Sequence, residues 1–287
     1  MASAALKNVL ITGAGTGFGL EAAMRLAKKG FAVIAAVEIY GQVQTLKRQA
    51  AERGVSLEVE KLDVTSEGDR RKALNWGVEI LVNNAGVGEG GSTVDIPAPN
   101  IRHQFEVNVT GPLLLTQGIA KQMVKRGAGR IVWVSSREGL NVNPFTGIYS
   151  ASKHAVEAIA ETMAYELQEH NIEVATVNPG PFLTGFNDRM FQTWESWEDD
   201  PSQRLFDYSK LAFPRAQFDP EAVYATLTSV AAGEVSSFRN LEPTSMIEET
   251  KRLQQVPWER KVTDGLGTRH QAIQQSYEMQ PETPVTD

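Results

Sequence analysis

Short runs of consecutive apolar, mostly β-branched residues alternate along this chain with longer stretches of helical period. Asn8 to Thr12 (NVLIT) is the first run; glycines follow at once, and a helical pattern from about Gly17 to Lys29 closes at Gly30. FAVIAAV, Phe31 to Val37, reads as a second buried strand, a helix rich in Gln, Lys, Arg and Ala reaches about Arg53, and a third strand lies near Leu57 to Leu62. The alternation continues through EILVNN, a helix from about Asn100 to Lys125, the strand RIVWVS, a helix from about Tyr149 to His170 and the strand IEVATVN. This pattern predicts an α/β protein with a parallel sheet covered by helices on both faces, which is why the strands are almost continuously apolar. Ligands of such sheets bind beyond the carboxyl ends of the strands.

From Phe182 to Pro214 the alternation gives way to a loop-like, aromatic-rich segment, and a helix from about Pro220 to Ala232 resumes it. The stretch after Thr263 is polar and ends MQPETPVTD, which predicts one domain over residues 1–262 and a mobile tail over 263–287. A length of 287 residues with 41% apolar content suits a single α/β domain. The net charge of -7 opposes nucleic acid and anionic membrane surfaces as partners. With no cysteine there is no disulfide or thiolate, and four scattered histidines have no metal-ligand spacing, so no metal is expected. The opening MASAALKNVLITG lacks the pattern of a secretion signal, and no apolar run approaches the ~20 residues needed to cross a bilayer. The expectation is a cytoplasmic protein that does not enter a membrane.

In TGAGTGFG, the glycines Gly13, Gly15, Gly17 and Gly19, with Phe18 among them, stand between the first strand and the first helix. Residues without side chains let the backbone turn sharply and approach a pyrophosphate at the helix N-terminus. Such a turn also suits a strand–helix connection with no ligand; its place after the first strand favours the nucleotide. At the end of the second strand an acidic side chain bonds the ribose 2′-hydroxyl of NAD, whereas an arginine receives the 2′-phosphate of NADP. Glu38 stands there, so NAD is favoured over NADP, the alternative being an ordinary solvated charge.

Tyr149 and Lys153, in YSASK, are four apart at the start of a helix and project from one face. Ser136, thirteen residues before Tyr149, ends the strand RIVWVSS on the ligand side of the sheet. Reducing a carbonyl requires a proton donor for the developing alkoxide, and oxidising an alcohol requires a base. Bringing a phenol from a pKa of about 10 to neutrality takes roughly 4 kcal/mol, which a nearby ammonium and a positive oxidised nicotinamide could supply. Lys153 is placed to provide the ammonium. Ser136 would donate a hydrogen bond to the substrate oxygen as negative charge gathers there.

Seven segments, TGAGTGFG, LDV, NNAG, VNVTG, VSS, YSASK and NPGPFLT, occur in that order over about residues 8–185 and make the chain resemble the short-chain dehydrogenases/reductases. The resemblance implies a Rossmann-like doubly wound fold and an NAD(P)-dependent oxidoreductase that moves a hydride between the nicotinamide and a secondary alcohol or ketone. It implies that Asn108 joins Ser136, Tyr149 and Lys153 as a catalytic tetrad, holding a water through which Lys153 exchanges protons. Asp63 and Val64 would touch the adenine; Asn84, Ala85 and Gly86 would line the adenosine side; Pro179, Gly180 and Thr184 would hold the nicotinamide carboxamide. The helices holding Asn108 and Tyr149 often join subunits in the family, which implies a homodimer or homotetramer. The chain also departs from the pattern. The aspartate that NAD-using relatives often carry falls at Val37, the segment between Asp63 and Asn83 is short and trims an outer helix, and the glycine-rich ending common in the family is missing after about Thr184.

Phe182, Phe186, Met190, Phe191, Trp194 and Trp197 gather where family members place a substrate lid, here about residues 182–214. They suit a bulky apolar substrate, or equally the packing of the loop onto its own domain. Arg137 could meet an anionic substrate group, but a solvated or salt-bridged arginine is the commoner state. His154 is expected on the side of its helix away from the site. The stripe Val156, Ile159, Ala160, Met163, Ala164 and Leu167 suits core or a subunit interface. Two other functions fit a nucleotide-binding fold of this kind. A non-catalytic NAD(P)-sensing regulator has no need of an activated phenol, and a sugar-nucleotide epimerase or dehydratase usually carries a larger substrate domain than the stretch after Pro181 provides.

Overall fold

The computed structural model describes residues 7–278. Its strands are β1 (Asn8–Ile11), β2 (Ala32–Val37), β3 (Glu58–Lys61), β4 (Ile80–Asn83), β5 (Gly129–Val134), β6 (Ile172–Pro179) and β7 (Arg239–Glu242). All are parallel, in the order β3-β2-β1-β4-β5-β6-β7. The helices are α1 (Gly17–Lys28), α2 (Tyr40–Glu52), α3 (Glu67–Ala73), α4 (Ala98–Phe105), α5 (Gly111–Arg126), α6 (Gly147–Leu167), α7 (Phe186–Met190), α8 (Glu221–Ala232), α9 (Ile247–Glu259) and α10 (Gln271–Glu278). This is the doubly wound α/β architecture that the alternation predicts.

Successive side chains of each central strand enter opposite apolar layers. Val9, Ile11, Ile80 and Val82 pack with Ala22 and Met24 of α1 and Leu227 of α8, whereas Leu10, Leu81, Ile131 and Trp133 pack with Leu115 and Ile119 of α5 and Val156 and Ala160 of α6. Removing one leucine side chain from such a layer costs about 2–5 kcal/mol. The chain winds outward through β2 and β3, then returns to place β4 beside β1, so the crossovers diverge above that pair and leave a crevice at its carboxyl end. Side chains lock the crevice floor. Thr12 Oγ1 accepts from the backbone N–H groups of Asn84 and Ala85, both at 3.0 Å, while the Asn84 amide donates to the carbonyls of Thr12 at 2.9 Å and Gly13 at 3.0 Å.

The structure differs from the sequence reading in three places. The helix expected from Asn100 to Lys125 is broken by a π-helical turn over Glu106–Thr110, where the Gly111 N–H bonds the Glu106 carbonyl. Pro112 has no N–H to offer the Asn108 carbonyl, so the regular ladder cannot run through. The trimmed outer helix is α3, whose Ser66 cap accepts from the Asp69 N–H at 3.3 Å. An edge strand, β7, and a further helix, α9, follow α8. Finally, part of the stretch read as a mobile tail over 263–287 is ordered as α10. Ile273 and Tyr277, on one face of α10, pack into the cluster of Phe191 and Phe213, and Ser276 is buried. Residues 279–287 of that stretch, and the opening residues 1–6, lie outside the described residues. Among the described residues no helix is long and apolar enough to cross a membrane.

Candidate active site

A cleft of about 360 Å³ opens at the carboxyl ends of the strands. On one side it is lined by Gly13, Gly15, Gly17 and Phe18 from the β1–α1 turn, Glu38 after β2, Asp63 and Val64 after β3, and Asn84, Ala85 and Gly86 after β4. Ser136, Tyr149 and Lys153 stand in its middle, with Pro179, Gly180 and Thr184 after β6. Two of the expected site residues sit behind this surface. Gly19 lies within α1, where a Cβ would strike the Asn84 side chain and come within 2.6 Å of the Gly13 carbonyl oxygen, so it allows close packing and is not a ligand contact. Gly13 has a φ of +63°, and a Cβ there would stand 2.7 Å from Ala85 Cα. The turn therefore brings bare backbone to the cleft at the N-terminus of α1, and the residues fit a dinucleotide pyrophosphate.

Asn108 is the second residue behind the surface. Its Oδ1 accepts from the Val87 N–H at 2.8 Å, and its Nδ2 donates to the Val87 carbonyl at 2.9 Å and Ser152 Oγ at 3.1 Å. The π turn thus places a side chain that ties the loop after β4 to α6. Ser136 Oγ accepts from the Glu138 N–H at 3.0 Å and donates over 3.4 Å to the Pro179 carbonyl. Tyr149 lies in the first turn of α6. One turn on, Lys153 Nζ donates to the Val134 carbonyl at 2.9 Å and stands 5.7 Å from the centre of the Tyr149 ring.

Burial dominates the electrostatics of this pair. It pushes the Tyr149 phenol upward; the Ser136 hydroxyl opposes this, and the Glu138 carboxylate adds to it. Burial also draws the Lys153 ammonium down to about 8, against the pull of Glu157. In the protein alone the phenol is thus held neutral, and the lowering expected from an ammonium together with an oxidised nicotinamide would require the bound cofactor. Behind Lys153, the buried Glu157 accepts from Asn178 Nδ2 at 2.6 Å and from an Arg239 guanidinium nitrogen at 2.9 Å, and Asn178 Nδ2 also reaches the Ser136 carbonyl at 3.3 Å.

The aromatic segment divides. Phe182, Phe186, Met190 and Phe191 line the cleft, with the Phe186 and Tyr149 rings 5.7 Å apart. Trp194 and Trp197 instead pack with Ile96 and Tyr208, and Trp197 Nε1 donates to Glu89 Oε1 at 2.7 Å, so for these two the packing alternative holds. Arg137 lines the cleft, but its guanidinium bonds Glu249 at 2.7 Å and Thr250 at 2.9 Å, which makes it the salt-bridged arginine of the commoner expectation. His154 is exposed, with Nδ1 2.9 Å from the Ser150 carbonyl. Val156 and Ala160 belong to the core, against which Ile159, Met163 and Leu167 pack half-buried. Sequence reasoning missed Glu138, Asn143, Phe213, Arg215, Ala272 and Gln275, all of which line the cleft. Among the described residues, no three acidic or histidine side chains are grouped as a metal would need.

Residues 7–195 match the family model described as short chain dehydrogenase, and the chain belongs to that family of oxidoreductases, whose members use NAD(P). An uncharacterized oxidoreductase of Bacillus subtilis, YusZ, is 34% identical over 215 residues, 71% of this chain and 75% of that protein. Human retinol dehydrogenase 8 is 36% identical over 195 residues, which are 66% of this chain and 63% of that protein, less than two thirds of its length. Among solved structures, a short-chain dehydrogenase from Streptomyces avermitilis superposes with a TM-score of 0.70 at 26% identity, covering 90% of this chain and 97% of that one. A variant of actinorhodin polyketide ketoreductase, solved with NADPH, gives 0.69 at 28% identity, covering 84% and 97%.

Proposed function

We propose that this oxidoreductase transfers a hydride between a nicotinamide cofactor and a secondary alcohol or ketone, with Tyr149 exchanging the hydroxyl proton. The observation that carries this reading is the meeting of Ser136, Tyr149 and Lys153 in the cleft that also holds the glycine turn. When bound, the nicotinamide gives or takes the hydride. The β1–α1 turn would hold its pyrophosphate, Asp63 and Val64 the adenine, Asn84, Ala85 and Gly86 the adenosine side, and Pro179, Gly180 and Thr184 the carboxamide. Tyr149, kept as a neutral phenol by burial, is suited to protonate a developing alkoxide. Ser136, whose oxygen accepts from the Glu138 N–H, would turn its proton from the long 3.4 Å contact with the Pro179 carbonyl to the substrate oxygen. Lys153, at about 8, lies close enough to neutrality to pass protons on. Asn108 acts through the frame it holds between Val87 and α6.

Glu38 faces the cleft, and its charge would repel a 2′-phosphate, which supports NAD over NADP. Phe186, Met190, Phe191 and Phe213 form an apolar wall beside Tyr149, which supports a bulky apolar substrate; retinol, the primary alcohol named in the human relative, shares that bulk and apolarity. A homodimer or homotetramer in the cytoplasm completes the reading, and the exposure of Leu114 on α5 (43%) and Tyr165 on α6 (71%) supports its subunit contact. The test is a titration of NADH and NADPH by energy transfer from tryptophan, then turnover of cyclohexanone, 1-decalone and a steroid ketone followed at the nicotinamide absorbance. The expected result is tighter binding of NADH, turnover that favours the bulkier ketones, and loss of about 10³-fold in kcat in Tyr149→Phe with cofactor affinity kept. No binding of either nucleotide, or an unchanged rate in Tyr149→Phe, would overturn the proposal.

A further inference from the structure

Between β5 and α6 the chain must carry Ser136 from the end of the sheet to the helix turn that holds Tyr149, and the two hydroxyls have to meet the same substrate oxygen. The connecting residues, REGLNVNPFT, contain asparagine, proline and glycine but no regular element beyond one short 3₁₀ turn. Glu138, two residues after Ser136, is bonded to both ends of this loop. Its N–H donates to Ser136 Oγ at 3.0 Å. Its Oε1 accepts from Asn143 Nδ2 at 2.6 Å, and its Oε2 accepts from Thr146 Oγ1 and Ser150 Oγ, both at 2.9 Å. Thr146 stands at the N-cap of α6, Ser150 is next to Tyr149, and both are buried. Hydrogen bonds to a carboxylate are among the stronger ones in a protein.

The loop held between these anchors is strained. Phe145 has a φ of +65°, a left-handed conformation that a phenylalanine keeps only where its surroundings impose it. Its carbonyl accepts from the Gly91 N–H at 2.7 Å, and its ring packs 5.0 Å from Phe206 in the cluster that includes Tyr149. Glu138 is poorly chosen for acid/base tuning, because its charge works against a phenolate at Tyr149. Its bonds, by contrast, hold the loop at both ends.

We infer that Glu138 is a positioning residue, which clamps the Ser136 loop to the first turn of α6 and so sets the Tyr149 phenol and the Ser136 hydroxyl in register. This rests on the reading of Tyr149 and Ser136 given above. The other charged groups near the clamp are Lys153 and Glu157 on α6, the latter packed against Gly139, Arg137 in the same loop, paired with Glu249, and Arg215 just beyond the lid, which donates to Asn143 Oδ1 at 2.9 Å.

The test compares Glu138→Ala with Glu138→Gln, using 1-decalone and NADH. In Glu138→Ala, kcat falls about 10- to 100-fold while KM and the NADH dissociation constant stay within about twofold, as expected when reacting groups are misplaced but binding is not. In Glu138→Gln the amide oxygen accepts from Asn143 and the NH₂ donates to the hydroxyls of Thr146 and Ser150, which can turn to accept. Most of the lost kcat returns, and the alkaline limb of the kcat–pH profile moves to lower pH because the carboxylate beside the phenol is gone. Hydrogen exchange of peptides spanning residues 136–150 gives a readout independent of turnover, with protection lost in Glu138→Ala and restored in Glu138→Gln. Unchanged exchange in Glu138→Ala, or equal loss of kcat in both variants, overturns the clamp. Tyr149→Phe separates the two ideas. If it keeps its rate, the reading of the site fails; if it is inactive while Glu138→Ala matches the parent protein, only the positioning role fails.

Discussion

Where the cleft faces the glycine turn it is lined largely by backbone fixed at the ends of β1 and β4, whereas beside Tyr149 it is lined by rings carried on α7 and on loops, with α10 closing the rim. The first wall is set mainly by backbone: Gly13 lies against Ala85, and the Asn84 amide is committed to the carbonyls of Thr12 and Gly13. The second wall, made of Phe186, Met190, Phe191 and Phe213, can change shape with any one of its residues. A site divided in this way can keep one cofactor while its substrate range varies. The contrast can be broken from either side.

The largest effect is expected on the backbone wall. Gly13→Ala forces a side chain into a left-handed conformation, which costs about 1–2 kcal/mol, and adds an overlap with Ala85 Cα. The expected outcome is a fall of about 5–10 °C in the melting temperature and weakening of NADH binding by at least about tenfold. A variant that melts and binds as the parent does would show that the glycine wall yields as easily as the aromatic one.

On the substrate wall the corresponding change is removal of α10. A chain ending at Thr268 loses Ile273 and Tyr277 from the aromatic cluster and Ala272 and Gln275 from the rim. KM for 1-decalone is expected to rise about tenfold, equivalent to roughly 1.4 kcal/mol of lost apolar contact, with NADH affinity unchanged. Gln275→Trp gives the complementary test in the full chain: a narrower rim should raise KM for 1-decalone and leave cyclohexanone unaffected. If NADH affinity fell together with substrate affinity, the two walls would be one unit and the comparison would collapse.

The same division marks what could be read from the sequence. The sheet, the glycine turn and the Ser136, Tyr149 and Lys153 set were legible because each depends on residue types at fixed local spacing, and the strand ends then bring them together. The π turn at Glu106–Thr110 left a trace in Gly111 and Pro112, which marks where a helical ladder must break. Glu138 left none, since a glutamate twelve residues before a serine has no local signature and its meaning comes only from folding of the loop. Trp197 and Phe191 look alike in sequence, yet one bonds Glu89 beneath the lid and the other faces the cleft. The polarity of the stretch after Thr263 concealed α10 for a similar reason: its Ile273 and Tyr277 are few, but they find an apolar cluster supplied by distant parts of the chain. For the Tyr149 phenol, spacing reveals a neighbouring ammonium and does not reveal the burial that raises it in the protein alone.

Glu38 is the point at which the backbone wall offers a charged side chain, and the smallest of the expected effects belongs to it. Val37, at the position of the family's aspartate, is fully buried and faces the core, so any acidic contact with a ribose at this strand end would have to come from the next residue. Glu38 lines the cleft, and its N–H is held by Gln42 Oε1 at 3.2 Å. Its exposed charge acts through solvent and is screened by salt. Glu38→Arg is therefore expected to move the ratio of NADH to NADPH dissociation constants about tenfold toward NADPH at low ionic strength, and by less as salt is added. A ratio that stays put at both ionic strengths would make Glu38 an ordinary solvated charge. Cofactor choice would then have to come from the glycine turn itself, and the division between a fixed wall and an adjustable one would hold even at this residue.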